Sequence, residues 1–181
     1  DQHISPEQHL AFGRKFGELH VHPAAPNEGD PALMKIYADK DSPRANGEGW
    51  HSDVSCDLEP PMGSILYIKQ CPPRGGDTLF ASQQLAYETL PAELRQAIEG
   101  KRAAHSYIAR YADEVFAGIR RPTLTEAQLA EVKSVVHPVV RTHPETGRKG
   151  LFVNENFTTH ILDVPEDESR QILAELYAHS A

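Results

Sequence analysis

His51 and Asp53 place an imidazole and a carboxylate two positions apart in the chain. In an extended strand, side chains at positions i and i+2 point to the same face, so these two groups are predicted to lie side by side. Together they make up two thirds of the two-histidine, one-carboxylate triad that binds non-haem Fe(II) and leaves one face of the metal open. The chain has 10 His, so such a spacing also arises by chance, and the tripeptide alone is a weak signal.

Two other pairs repeat this spacing. His20 and His22 would form a competing pair of imidazoles in an extended segment, although lining a pocket is the commoner role for loop histidines. His143 and Glu145 lie in an evident turn, where side chains are usually solvated. Neither pair displaces the first tripeptide as the leading candidate.

Composition narrows the classes of function. Lys and Arg number 18 against 26 Asp and Glu, and the net charge of −8 argues against a nucleic-acid-binding surface. No apolar run approaches the roughly 18 residues that a membrane-spanning helix requires. The two cysteines have no paired spacing, which indicates a reducing, cytoplasmic setting. Without a phosphate-binding loop or a nucleophile elbow, the sequence favours a small-molecule partner, with no nucleic acid and no membrane.

No repeat or linker divides the chain, so residues 1–181 are predicted to form a single domain. Strands outnumber long helices in the middle of the chain, which favours an α+β or mainly β fold, with helices outside a β core. Turn signals and β-branched residues predict strands at residues 32–38, 50–56, 63–70, 77–81, 135–141 and 150–153. Capping signals predict helices that begin at Ser5, Ser82, Pro91, Thr125 and Asp163.

Several blocks of sequence carry more information than any tripeptide. They are GWHSDVS at residues 49–55, GGDTL at 75–79, HPVVRTHP at 137–144 and LFVNENFTT at 151–159. FGELHVHP at residues 16–23 fits the same pattern. In this order and approximate spacing, the blocks resemble the taurine dioxygenase family of Fe(II)- and 2-oxoglutarate-dependent oxygenases. The resemblance covers nearly the whole chain.

This resemblance implies a double-stranded β-helix, or jelly roll, with outer helices, of which the chain looks like an internal portion, truncated at both ends. By the same resemblance, His51 and Asp53 are iron ligands, and Thr78 hydrogen-bonds a carboxylate of 2-oxoglutarate. The second iron histidine and the arginine that grips 2-oxoglutarate are expected beyond the position of His179. The residues implied to line the substrate pocket are His22, Val54, Tyr107 and Phe157.

The activity implied by the resemblance is hydroxylation of a small anionic organic substrate at a bound Fe(II). The reaction consumes 2-oxoglutarate and O2 and releases succinate and CO2. Relatives in the family act on alkyl sulfonates, alkyl sulfates and aryloxyalkanoates. Ala25 and Gly47 stand where the taurine enzyme has a tyrosine and an asparagine, so taurine itself is not the expected substrate. Family members often associate, and a homo-oligomer is compatible with the resemblance.

Two other functions stay open. A chain without the third metal ligand would be a non-catalytic family member or fragment. A zinc-binding module would instead use His20, His22, His51 and Asp53. Such a module predicts tight zinc binding on which 2-oxoglutarate has no effect, whereas the oxygenase predicts that the keto acid strengthens metal binding.

Overall fold

Local capping signals set the starts of the first two helices in the computed structural model, which describes residues 2–22, 29–42, 47, 49–108 and 133–181. Helix α1 (Pro6–Gly13) begins after Ser5, whose hydroxyl accepts a hydrogen bond from the backbone N–H of Gln8 at 3.2 Å. The side chain of Gln8 in turn accepts from the Ser5 N–H at 2.8 Å. Helix α2 (Gln83–Thr89) begins after Ser82 with a similar hydroxyl cap. These caps satisfy N–H groups that have no partner inside a helix, as the sequence predicts.

A three-stranded antiparallel sheet carries the site. Strand β1 (Arg102–His105) is its centre, flanked by β2 (Val135–Pro138) and, on the other side, by a strand of residues 158–161. Ala103 of β1 faces both His137 and Ile161 in the register. The pairing with residues 158–161 shifts after Ala104, which marks a bulge at the end of β1.

A separate hairpin follows β2. Strand β3 (Val140–Thr142) pairs with β4 (Lys149–Leu151), and the turn between them includes Gly147 in a left-handed conformation. The strand of residues 158–161 is β5 (Thr158–Ile161). Together with the short helix α3 (Ala92–Ala97), these elements confirm the predicted hairpin and the mixture of helix and antiparallel sheet.

Helix α4 (Glu166–Ser180) supplies the apolar side chains that cover β5. Leu176 and Ile161 are fully buried, together with Ile98 and Val139 from the neighbouring elements. Burying each such side chain contributes about 1.5–3 kcal/mol, so this core fixes the sheet. The predicted cap of α4, Asp163, is wrong, because Pro165 occupies the cap position and no side chain bonds there.

Four predicted strands do not form, and one of them, residues 50–56, contains a turn that is described below. Residues 32–38, 63–70 and 77–81 make no ladder with another segment in the described ranges, and large apolar side chains such as Leu66 and Phe80 are exposed. A β-branched pattern creates a strand only where a partner strand completes its hydrogen bonds, which is why the pattern alone overpredicts them. The helix predicted at 125–134 lies almost wholly outside the described residues. No helix in the described ranges is long and apolar enough to cross a bilayer.

Candidate active site

The imidazole of His51 and the carboxylate of Asp53 lie side by side, with Nε2 of His51 3.2 Å from Oδ1 of Asp53. Nδ1 of His51 donates a hydrogen bond to the carbonyl of Gly49 at 2.9 Å, which fixes the ring. Oδ2 of Asp53 accepts from the hydroxyl of Ser64 at 2.9 Å. The contact with His51 and the bond from Ser64 hold the pKa of Asp53 below its ordinary value, despite the opposing effect of partial burial. The carboxylate is therefore ionised at neutral pH.

A turn begins at Asp53, within the segment 50–56 that was predicted to be a strand. Residues 53–56 form the turn, and Val54 has a φ of 51°, in the left-handed region. The N–H of Asp57 donates to the carbonyl of Val54 at 3.0 Å and closes it. The strand predicted at residues 50–56 is therefore wrong. The His51–Asp53 pair lies at the start of the turn.

The donor atoms of this pair fit a divalent metal. Nδ1 of His51 is protonated towards Gly49, so in a neutral ring Nε2 would present its lone pair to the ionised carboxylate of Asp53 across 3.2 Å. Two facing lone pairs at this distance require either a second proton on the ring or a cation between them. Two ligands that each lie roughly 2.1 Å from a metal, at a right angle, are about 3 Å apart. The spacing therefore suits a shared Fe(II) ion.

His22, Tyr107 and Phe157 form an aromatic row. The rings of His22 and Tyr107 meet edge to face with centroids 5.1 Å apart, and Tyr107 stacks on Phe157 at 6.3 Å. Burial and the neighbouring His20 lower the pKa of His22, which keeps its ring neutral near pH 7. Three of the four residues expected in the substrate pocket thus lie together.

The remaining expected residues differ in their surroundings. Val54 directly follows Asp53 in the turn and is partly buried, whereas Thr78 lies in a segment, residues 71–80, that is exposed throughout. Thr78 makes no hydrogen bond to another residue in the described ranges. Gly47 approaches the His51 ring, where a Cβ would lie 3.8 Å from Cε1. Ala25 lies outside the described residues.

A buried hydrogen-bonded network lies behind the turn, and sequence reasoning missed it. Nδ2 of Asn154 donates to the hydroxyl of Ser55 at 2.9 Å, and that hydroxyl lies 3.2 Å from Nδ1 of His105. Burial, aided by His137, lowers the pKa of His105 to about 4, so the ring is neutral. Ser55 and Asn154 both belong to the conspicuous sequence blocks, and this was the one available signal.

Asp57, at the far end of the turn, is held by two histidines. Its carboxylate accepts from Nε2 of His20 at 2.5 Å, and its carbonyl accepts from Nε2 of His137 at 2.8 Å. His20 is thereby engaged with Asp57 and not with the His51–Asp53 pair. Within the described part of the chain, no three His, Cys, Asp or Glu side chains are arranged to hold a metal. The geometry does not favour the zinc module.

Comparison with known proteins identifies dioxygenases that are similar to this chain. An alpha-ketoglutarate-dependent sulfonate dioxygenase of Saccharomyces cerevisiae is 30% identical over 95% of this chain and 42% of its own length. An alpha-ketoglutarate-dependent 2,4-dichlorophenoxyacetate dioxygenase of Cupriavidus pinatubonensis is 32% identical over 99% of this chain and 66% of its own length. The chain therefore spans only about half to two thirds of these relatives.

A solved structure of a taurine dioxygenase from Burkholderia xenovorans superposes with a TM-score of 0.70 at 35% sequence identity. That match covers 99% of this chain and 56% of the solved one. The model of the family described as "Taurine catabolism dioxygenase TauD, TfdA family" matches residues 1–181. The chain belongs to the TauD/TfdA dioxygenase family.

Proposed function

We propose that the chain is the metal-binding part of an Fe(II)- and 2-oxoglutarate-dependent dioxygenase that hydroxylates a small organic acid. The observation that carries this proposal is the His51–Asp53 pair, with the two donor atoms 3.2 Å apart and the ring fixed by Gly49. Its relatives named above are sulfonate and aryloxyalkanoate dioxygenases, which supports these two substrate classes. Alkyl sulfates are a third class to test.

The residues divide the work between metal and substrate. His51 and Asp53 would hold Fe(II), which when bound supplies O2 activation coupled to the conversion of 2-oxoglutarate to succinate and CO2. The rings of Tyr107 and Phe157 form an apolar wall that orients the substrate and excludes water. Neutral His22 offers hydrogen bonding at the end of this wall. Thr78 remains the proposed partner of a 2-oxoglutarate carboxylate.

The fold proposal extends beyond the described sheet. Residues 1–181 would belong to one domain, a double-stranded β-helix with helices α1 to α4 outside it. The superposition on the taurine dioxygenase supports this architecture. A cytoplasmic location is proposed on the two free cysteines, Cys56 and Cys71. Burial raises the pKa of Cys56 to about 12, so this thiol is not a nucleophile.

The test is an anaerobic titration of the full-length protein with Fe(II) and 2-oxoglutarate, monitored by the visible charge-transfer band of the metal–keto acid complex. We expect the band in the wild type and in the control His3→Ala, since His3 is an exposed histidine near the chain terminus. We expect no band in His51→Ala. Succinate formation under air is then screened with sulfonates, alkyl sulfates and aryloxyalkanoates.

The outcomes separate the candidate functions. A band that survives in His51→Ala contradicts the assignment of the metal site. Tight zinc binding that 2-oxoglutarate does not alter would indicate the zinc module. A band without conversion of 2-oxoglutarate to succinate in the presence of any of these substrates would indicate a non-catalytic family member.

A further inference from the structure

Asn154 uses its side chain to join two parts of the proposed site. Its amide oxygen accepts from the backbone N–H groups of Asn156 at 3.1 Å and Phe157 at 3.0 Å. Its amide nitrogen donates to the hydroxyl of Ser55 at 2.9 Å. The two N–H donors fix which end of the amide carries the oxygen, so the orientation of the side chain follows from its partners. Asn154 is buried, with 7% of its surface exposed.

One end of this link is the turn that carries the metal pair. Ser55 lies two residues after Asp53 in that turn and is 1% exposed. Because the Ser55 hydroxyl accepts from Asn154, its own proton is available for Nδ1 of His105, 3.2 Å away. His105 is fully buried at the end of β1. The turn is thus attached to the sheet through uncharged groups.

The other end of the link is the aromatic wall. Phe157 donates its N–H to Asn154 and accepts at its carbonyl from the N–H of Ser106 at 2.8 Å. These two bonds fix the backbone from which the Phe157 ring stacks on Tyr107. The backbone N–H of Asn154 donates to the Thr158 hydroxyl at 2.9 Å. The wall therefore has a rigid backbone on the side that faces Ser55.

We propose that Asn154, acting through Ser55, is a positioning residue that sets the place of the His51–Asp53 pair relative to the Phe157 wall. This inference rests on the proposed function, because it concerns the same metal pair. Asn154 and Ser55 are not among the residues proposed to hold the metal or to line the substrate pocket. Their hydrogen bond holds the turn where the His51–Asp53 pair is aligned with the Phe157 wall. Without this bond, the turn can shift away from the sheet.

Ser55→Ala is the sharpest variant. It cuts the link to the turn but leaves Asn154 with both backbone bonds, so the wall stays formed. Ser55→Thr keeps a hydroxyl and should therefore retain the metal affinity of the wild type. The matched control is Ser169→Ala: Ser169 is also 1% exposed, and its hydroxyl accepts from the N–H of Ile161 at 2.8 Å, but it lies in α4.

Two readouts on the full chain test the link. In the anaerobic Fe(II) and 2-oxoglutarate titration, we expect Ser55→Ala and Asn154→Ala to bind metal about tenfold more weakly than the wild type. Ser55→Thr and Ser169→Ala should bind as the wild type does. The double variant Ser55→Ala/Asn154→Ala should bind no more weakly than its weaker parent, because both substitutions remove the same bond.

The second readout needs no metal. Trp50 is the single tryptophan of the chain and directly precedes His51, so its fluorescence reports on the turn. We expect its emission to shift in metal-free Ser55→Ala and not in Ser169→Ala. Wild-type affinity in Ser55→Ala, or an equal loss in Ser169→Ala, would overturn the positioning role while leaving the proposed function in place. Absence of metal binding by the wild type would overturn the proposed function itself, and this inference with it.

Discussion

Two histidine-containing pairs lie on opposite sides of the turn at residues 53–56, and their environments are opposite. The His51–Asp53 pair is partly exposed, with 52% of the Asp53 side chain accessible. His105 and His137 have ring centroids 5.3 Å apart and are 0% and 6% exposed. A partly exposed pair with a carboxylate can gain or lose a cation at little cost. Burial and the neighbouring His137 lower the pKa of His105, so the His105 ring is neutral and its role is structural.

The largest expected difference between the pairs is in metal binding. Asp53→Ala removes the anionic ligand, and we expect metal affinity to fall at least about 100-fold, because a single imidazole remains. The free energy of unfolding should change by less than about 0.5 kcal/mol, since 52% of the Asp53 side chain is accessible and it lies outside the buried core. Metal titration and urea unfolding of the same samples check both statements. A variant that unfolds but keeps its metal would reverse the assigned roles.

His105 should affect the free energy of unfolding and not metal binding, and its effect should depend on pH. Its pKa is about 4 in the folded chain against an ordinary value of 6.5. Between these pH values the unfolded chain binds the proton and the folded chain does not, so stability falls as pH falls from 6.5 towards 4. The full difference corresponds to roughly 3 kcal/mol.

Urea unfolding between pH 7 and pH 4 measures this dependence. His105→Gln removes the titrating group and should flatten the curve, whereas His160→Gln, which changes an exposed histidine, should leave the slope as in the wild type. An unchanged slope in His105→Gln would show that other groups govern the acid sensitivity.

The smallest effect is expected from removing the hydrogen bond between Ser64 and Asp53. Ser64→Ala removes the hydroxyl that donates to Oδ2 of Asp53 at 2.9 Å. Because this bond is exposed, we expect metal affinity to fall less than about fivefold, equivalent to roughly 1 kcal/mol or less. The pKa of Asp53 should rise slightly, since Ser64 contributes to lowering it. A loss as large as that of Asp53→Ala would mean that Ser64 itself is a ligand.

Short-range features of the molecule could be predicted from sequence. The caps at Ser5 and Ser82 and the hairpin turn depend on residues within a few positions, and the local pattern predicts them. The His51–Asp53 pair also depends on local backbone, with Gly49 beside it. The tripeptide alone is a weak signal, and the resemblance to the family was needed to select His51 and Asp53 as candidate iron ligands.

Long-range features could not be predicted. Ser55 and Asn154 are 99 positions apart, and only the folded chain brings them together. Strand β1 has the sequence RAAH, which has little β propensity, and becomes a strand because it lies between two partners. Conversely, residues 63–70 have the strand pattern but no such partners in the described ranges. The left-handed Val54 is equally invisible in sequence, because a β-branched residue favours extended backbone.

The left-handed conformation of Val54 lowers the stability of the turn. A β-branched residue at a φ of 51° is strained by about 1–3 kcal/mol, and the surrounding bonds must sustain the strain. On gentle heating, the turn should therefore open as a local unit before the sheet and α4 unfold. Metal release would then precede global unfolding, and a bound metal would stabilise the closed conformation of the strained turn.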